Sequence, residues 1–166
     1  MNAHRRPHFV HRRLPRLTLA LVVLLALPLR AQSTAACAGP KDVCGFFDSF
    51  ISALNRRDWD AFRGTFAPGI TAIFERPGPA QVQQGRAAVE AVFQNIFPKA
   101  GAPAAPLPPA LRPQGVVVQT YRDIAIISFE LQRQGQLARR TLVFHRVRHG
   151  WEVVHIHGSA SDLSQP

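Results

Sequence analysis

The chain has 166 residues, the length of one domain, and 46% of them are hydrophobic, which is enough to build a core. Its formal charge is +10, but residues 1–31 hold six of the 20 basic residues and none of the 10 acidic ones. The remainder carries 14 basic and 10 acidic residues, a net charge of +4. This ordinary balance excludes a strongly basic binding surface, so we expect no nucleic-acid partner.

The first 31 residues have the pattern of a secretory signal peptide. Residues 1–16 carry five arginines and no acid, Leu17–Leu29 is almost wholly apolar, and small residues follow. A spanning helix needs about 20 apolar residues, so this stretch is too short to be one. We expect a leader over residues 1–31, with cleavage as late as residue 36, and a secreted or periplasmic protein that contacts a membrane only through an uncleaved leader.

The two cysteines, Cys37 and Cys44, lie close together after the leader, at the boundary between a tail (residues 32–40) and the domain (residues 41–162). In an oxidising compartment such a pair is expected to form a disulfide that pins the tail to the first helix. Free thiols are the alternative. The spacing matches no zinc motif.

Three helices are predicted in the first half of the domain. The first has one apolar face, formed by Val43, Phe46, Phe47, Phe50, Ile51 and Leu54. Asp58 is the expected N-cap of a short second helix, which turns Trp59, Phe62 and Phe66 inward and ends at Pro68-Gly69. A short strand at Ile70–Phe74 and a third helix that begins at Gly85 follow.

The second half is predicted to consist of strands. A proline-rich connection, Pro98–Pro113, precedes four apolar runs that are separated by short polar turns: Gly115–Tyr121, Ile124–Gln132, Leu137–Val147 and Trp151–Ser159. Helices followed by antiparallel strands favour an α+β fold in which the helices cover one face of a curved sheet.

Strand alternation predicts which side chains share a face. Trp151, Val153, His155, His157 and Ser159 fall on one face of the last strand. A two-residue turn before Trp151 places on the same face Arg140, Leu142, Phe144 and Arg146, and it turns His145 away. A three-residue turn reverses the assignment. The predicted face is mostly apolar with a few polar groups, which is typical of a small-molecule pocket.

The motifs resemble a known family. N-R-R-D-W-D-A-F (Asn55–Phe62) and Q-G-R-A-A-V-E-A-V-F (Gln84–Phe93) resemble the opening of SnoaL-like domains of the nuclear transport factor 2-like superfamily. The segment Thr141–Ser159, with its W-x-x-x-H-x-H-x-S frame, is similar to the closing hairpin of the association domain of calcium/calmodulin-dependent protein kinase II and its bacterial relatives. The resemblance implies a cone-shaped domain with a pocket between sheet and helices, assembled as a homodimer or larger homo-oligomer.

The resemblance also bears on the ligand. At the position of Leu142 the association domains carry an arginine, and that arginine holds carboxylates. A carboxylate ligand is therefore expected here only if Arg140 takes over this role. The candidate ligand-binding residues are Trp59, Arg140, Leu142, Phe144, Trp151, His155, His157 and Ser159. The spacing His155-x-His157 suits zinc, but the predicted face offers no third ligand. We expect neither a metal nor a cofactor.

Three classes of function remain. The leading prediction is a non-enzymatic pocket for a small, partly apolar molecule. The first alternative is a cofactor-free isomerase, cyclase or hydratase, in which His155 or His157 is the base and Tyr121 donates to the enolate oxygen. The second is a structural association domain whose hairpin face is the oligomer contact. The family's range of functions means that the fold alone names no reaction.

Overall fold

The computed structural model describes residues 36–74, 82–94, 97, 109–133 and 135–162. Contacts between residues divide the chain into Met1–Ala31 and Gln32–Pro166, and the described residues all belong to the second unit. The predicted leader and most of the proline-rich connection lie outside the described ranges. Within those ranges, no helix is long and apolar enough to cross a membrane.

Three helices precede most of the sheet: α1 (Lys41–Arg56), α2 (Trp59–Gly64) and α3 (Arg86–Phe93). Helix α1 ends at Arg57, whose left-handed backbone (φ 59°) turns its N–H back to the carbonyls of Ala53 and Leu54. The N-cap prediction is confirmed, because the side chain of Asp58 accepts a hydrogen bond from the Ala61 N–H at 3.0 Å. Helix α2 is shorter than predicted, and Phe66 begins a strand instead of ending this helix.

Six strands form one sheet, in the order β2-β1-β6-β5-β4-β3. Their bounds are β1 (Phe66–Phe74), β2 (Val82–Gln84), β3 (Gln114–Tyr121), β4 (Ile124–Arg133), β5 (Gln136–Val147) and β6 (Gly150–Asp162). Strands β1 and β6 run parallel and all other neighbours antiparallel. Strand β2 was not predicted, because three residues are too few to show alternation. The predicted α+β class, with helices against a curved sheet, is confirmed.

The helices pack against one side of the sheet, which we call the inner face; the other side is the outer face. Phe46 and Phe47 of α1 meet Phe144 and Phe129 of the sheet edge-on, with ring centroids 4.9 and 5.2 Å apart. Phe62 is fully buried, and its centroid lies within 5.2 Å of four other rings, those of Phe50, Phe66, Phe93 and Phe97. Aromatic rings therefore join the helices to the inner face.

Strand β6 contains a β-bulge at Val154. Phe144 pairs with Val153, whereas the preceding residue of β5, Val143, pairs with His155, so Val154 is an extra residue in β6. Such an insertion reverses the alternation of side chains beyond it. Burial follows the reversal: Val153 before the bulge and Ile156 after it are both buried on the inner face.

Candidate functional site

The turn end of the β5–β6 hairpin has the predicted arrangement. Val147 pairs with Gly150, which leaves a two-residue turn, and Arg146 lies opposite Trp151. Leu142, Phe144 and Trp151 are buried on the inner face, and Arg140 is partly buried on the same side. His145 points to the outer face, as predicted.

The predicted positions of three polar residues are wrong. His155, His157 and Ser159 were expected beside Trp151, but the bulge at Val154 turns all three to the outer face. Ile156 and Gly158 take their places on the inner face and are buried. The physical reason is the single extra residue, which shifts a two-residue period by half.

The three candidate catalytic residues do not converge. Tyr121 lies at the end of β3 and is 58% exposed. Its strand is three strand spacings, about 14 Å, from the strand that carries His155 and His157. His157 is exposed as well. An acid–base pair must reach one substrate atom in a water-poor site, and this arrangement provides no such site.

Arg140 is a charged residue on the inner face, toward the open end of the hairpin. Its Nη1 atom donates to the carbonyls of Arg139 (2.7 Å) and Ser159 (2.9 Å). The guanidinium lies over Gly158, where a Cβ atom would stand 3.0 Å from Cζ. Its partner on β4 is the buried Phe129. A cation is therefore held in a defined orientation over Gly158, with the apolar Phe129 as its partner on the adjacent strand.

Trp151 belongs to a clasp between α1 and the hairpin. Its Nε1 donates to Asp42 Oδ2 at 3.2 Å, and Arg146 Nη2 lies 2.9 Å from the same oxygen. The Arg146 guanidinium also stacks on the indole, 4.2 Å from the ring centroid. The hydrogen bond from Trp151, followed by the effects of Arg146, lowers the pKa of Asp42. The Nε1–H group of Trp151 is thus used to hold α1 against the β5–β6 hairpin.

Two further residues border the aromatic interior. Trp59 is partly buried at the edge of the core, and its ring lies edge-on to that of Phe97 with the centroids 4.9 Å apart. Arg86, at the start of α3, donates through Nη2 to the carbonyl of Phe66. Its Nε is buried and has no hydrogen-bond partner among the described residues. A buried donor of this kind requires a water or ligand acceptor.

The outer face carries a set of histidines. His155 Nδ1 lies 2.7 Å from Thr71 Oγ1 on the neighbouring strand. Burial, and secondarily the charge of His157, lowers the pKa of His155. His145 sits between two carboxylates, 3.5 Å from Asp123 and 3.5 Å from Glu152.

A surface groove of about 480 Å³ lies between α1 and the residue that precedes β3. Its lining consists of Ala36, Cys37, Cys44, Phe47, Asp48, Ile51, Ser52, Asn55 and Pro113. Cys37 and Cys44 form a disulfide, with Cα atoms 5.6 Å apart. The Asn55 side chain is occupied by the backbone N–H and carbonyl of Leu111. Among the described residues of the lining, Asp48 is the one charged side chain, so they present no cation to an acidic ligand.

Solved structures share this fold. An NTF2-like protein of unknown function from Pseudomonas putida KT2440 is 16% identical, covers 75% of this chain and 94% of its own, and has a TM-score of 0.61. A putative dehydratase from the NTF2-like family of Streptomyces avermitilis is 20% identical (72% and 94%, TM-score 0.57). A putative ketosteroid isomerase from Parabacteroides distasonis ATCC 8503 is 16% identical (74% and 89%, TM-score 0.57). No curated protein sequence matches the chain.

At these identities the structural neighbours establish the fold and nothing about the reaction. The family is shown by sequence. The model of the SnoaL-like domain matches residues 43–162, which span the first helix through the last strand described above. The chain therefore belongs to the SnoaL-like domain family and has the NTF2-like fold.

Proposed function

We propose that this chain is an exported pocket protein that binds a small, partly apolar carboxylic acid at the inner face of its sheet. The observation that carries the proposal is Arg140, a guanidinium held over Gly158 by two backbone carbonyls and bordered by Phe129. Mostly apolar walls with one oriented cation are typical of sites for small amphipathic acids.

The chemistry of arginine supports an acid. A guanidinium presents several N–H donors in a rigid plane that matches a carboxylate, and it remains charged at any physiological pH. Contact with apolar groups removes competing water and strengthens such a hydrogen bond. The aromatic side chains Trp59 and Phe93, both partly buried against the core, provide an apolar surface for the rest of the ligand. The absence of a convergent acid–base pair on the inner face of the described strands favours binding over catalysis.

Thermal unfolding of the full chain with small aromatic and aliphatic acids tests this proposal, with each acid compared with its methyl ester. A ligand at 100 times its dissociation constant stabilises by about 2.7 kcal/mol, a shift of several degrees. We expect the acids to raise the melting temperature, the esters to do so weakly, and Arg140→Gln to abolish the effect. Arg139→Gln is the matched control, because Arg139 is the neighbouring residue on the outer face. A melting-temperature shift of equal size in Arg140→Gln would contradict the proposal.

Export is part of the same proposal. Its support is the arginine-rich segment of residues 1–16 followed by Leu17–Leu29, together with the Cys37–Cys44 disulfide, which suits an oxidising compartment. We expect cell fractionation of a bacterium expressing the full chain to place the protein in the periplasm or medium, with a mature N-terminus between residues 32 and 37. A cytoplasmic protein of full-length mass would contradict this.

A second candidate role, self-association, is favoured by the outer face. Val117 and Tyr121 are 57% and 58% exposed there, and Ile126 and Val143 pair beside them without a covering helix in the described part of the chain. A sheet face with exposed apolar side chains is typical of an interface. We propose that this face joins two copies in a homodimer. Sedimentation velocity over a range of concentrations in EDTA checks it, and Val143→Glu should yield monomers.

A further inference from the structure

His155 and His157 lie two residues apart on the outer face of β6, beyond the bulge. Side chains at such positions point the same way and are separated by about 6.6 Å along the strand. Two imidazole rings at this separation can bring one nitrogen each to a single metal ion, about 2.0–2.1 Å from it. The bulge therefore places two surface imidazoles at the spacing that a chelating pair needs.

His155 has the surroundings of a metal ligand. A metal-bound histidine usually donates its second ring nitrogen to an acceptor, which fixes the ring. Thr71 Oγ1, 2.7 Å from Nδ1, can accept that hydrogen bond and leave Nε2 unprotonated.

One chain supplies only part of a coordination shell. Among the described residues, no three His, Cys, Asp or Glu side chains lie close enough together to hold an ion. The residues that pair with His155 are Thr71 and Val143, and those that pair with His157 are Ile73 and Thr141, none of which is a carboxylate. Imidazole without carboxylate suits Zn²⁺ or Cu²⁺ and not Mg²⁺ or Ca²⁺. Zinc favours four ligands, so two are missing.

A second copy of the chain is the occupant that completes the shell. A twofold axis through the outer face places each His155–His157 pair opposite itself, and two pairs make four nitrogens. The charges of this face do not oppose the contact, because Arg139 lies 3.7 Å from Glu130 and His145 lies between carboxylates of its own chain.

We propose that His155 and His157 form half of a Zn²⁺ or Cu²⁺ site, and that the same two residues of a second copy complete it. The site rests on the homodimer proposed for the outer face and is independent of ligand binding at Arg140. A metal bridge makes association depend on metal availability, and Thr71 acts as a positioning residue for His155.

The test uses the full chain with His4, His8 and His11 changed to glutamine, because these leader histidines could chelate metal themselves. After treatment with EDTA, the protein is titrated with Zn²⁺ and followed by calorimetry and sedimentation. We expect half an ion per chain and dimerisation at least about tenfold tighter than in EDTA. With Cu²⁺, the electron paramagnetic resonance spectrum should show nitrogen ligands from four imidazoles.

His155→Gln and His157→Gln should each abolish the zinc effect, and His149→Gln, in the exposed hairpin turn, is the matched control that retains it. Thr71→Val should keep the stoichiometry and weaken Zn²⁺ binding by about tenfold. Zinc-tightened association that survives both β6 substitutions, or one ion per chain without association, overturns the site. A dimer in EDTA that ignores Zn²⁺ also overturns it while leaving the proposed dimer intact; a monomer in both conditions refutes both.

Discussion

The guanidinium of Arg140 occupies the space above Gly158 on the neighbouring strand, where any side chain would collide with it. A Cβ atom at Gly158 would stand 3.0 Å from both Cζ and Nη1 of Arg140. The two residues are partners in the β5–β6 ladder, so their approach is set by the sheet itself. The absence of a side chain at Gly158 thus allows the cation to lie flat on the inner face.

Gly158→Ala should uncouple ligand binding from stability. The colliding atoms form the flexible end of a long side chain, so Arg140 can swing aside and the free energy of unfolding should fall by less than about 1 kcal/mol. The melting-temperature shift produced by carboxylic acids should nevertheless be lost, because the guanidinium leaves its position over the strand. Gly69→Ala is the control, since its Cβ meets nothing within 4 Å. A variant that binds acids normally would contradict this role for Gly158.

Asp42→Asn should make the melting temperature depend less steeply on pH in the acid range. The pKa of Asp42 is lowered in the folded chain by the hydrogen bond from Trp151 and by Arg146. A lowered carboxyl pKa stabilises the fold above the unfolded value, near 3.8, and this contribution disappears as the pH falls through the folded value. Melting temperatures measured from pH 6 to pH 2.5 check the slope. Asp48→Asn, on the same helix, controls for the change in net charge, and an unchanged slope in Asp42→Asn would refute the clasp.

His155 should titrate below its usual pKa of 6.5, and His157→Gln should raise its pKa. Burial disfavours the charged ring, and the charge of His157 disfavours it further. Because the unfolded chain takes up this proton first, the stability contributed by neutral His155 is present above about pH 6.5 and declines below it. NMR titration of the His155 ring protons measures its midpoint in the native chain and in His157→Gln. His149→Gln is the control. A midpoint for His155 that does not move in His157→Gln would show that the two rings do not interact.

Replacing both cysteines by alanine should destabilise the domain without affecting acid binding. The disulfide closes a loop of eight residues, for which the chain-entropy model gives at most about 2.5 kcal/mol. Urea unfolding of the oxidised chain and of the double variant measures the difference. A reducing agent should lower the stability of the native chain to that of the double variant and leave the variant unchanged. Equal free energies of unfolding for the disulfide-bonded chain and the double variant would contradict the prediction.

Features with a local cause could be predicted from the sequence. The apolar positions of α1 repeat at three and four, and the N-cap at Asp58 needs only a side chain three residues from its partner. The two-residue hairpin turn fixed the pairing of Arg146 with Trp151, and with it the inner position of Arg140. Each of these depends on residues close together in the chain.

The positions of His155 and His157 depend on distant pairing and were missed. Strand β6 must fit β5 on one side and β1 on the other, and the extra residue at Val154 appears only when those registers are known. One signal was available in the sequence. After Val153-Val154, the apolar positions continue at Ile156, Gly158 and Ala160 and no longer at odd numbers, which is the change of phase that a bulge produces.

The bulge at Val154 also has an evolutionary meaning. Loss of one codon at this point would exchange the inward and outward residues of the rest of the strand, bringing two imidazoles into the interior and moving Ile156 to the surface. Gain of one codon in a strand that lacks the bulge would do the reverse. A SnoaL-like lineage can therefore move histidines between the inner and the outer face of its sheet without substituting any of them, and histidines that align in two members of the family need not occupy the same side of the sheet.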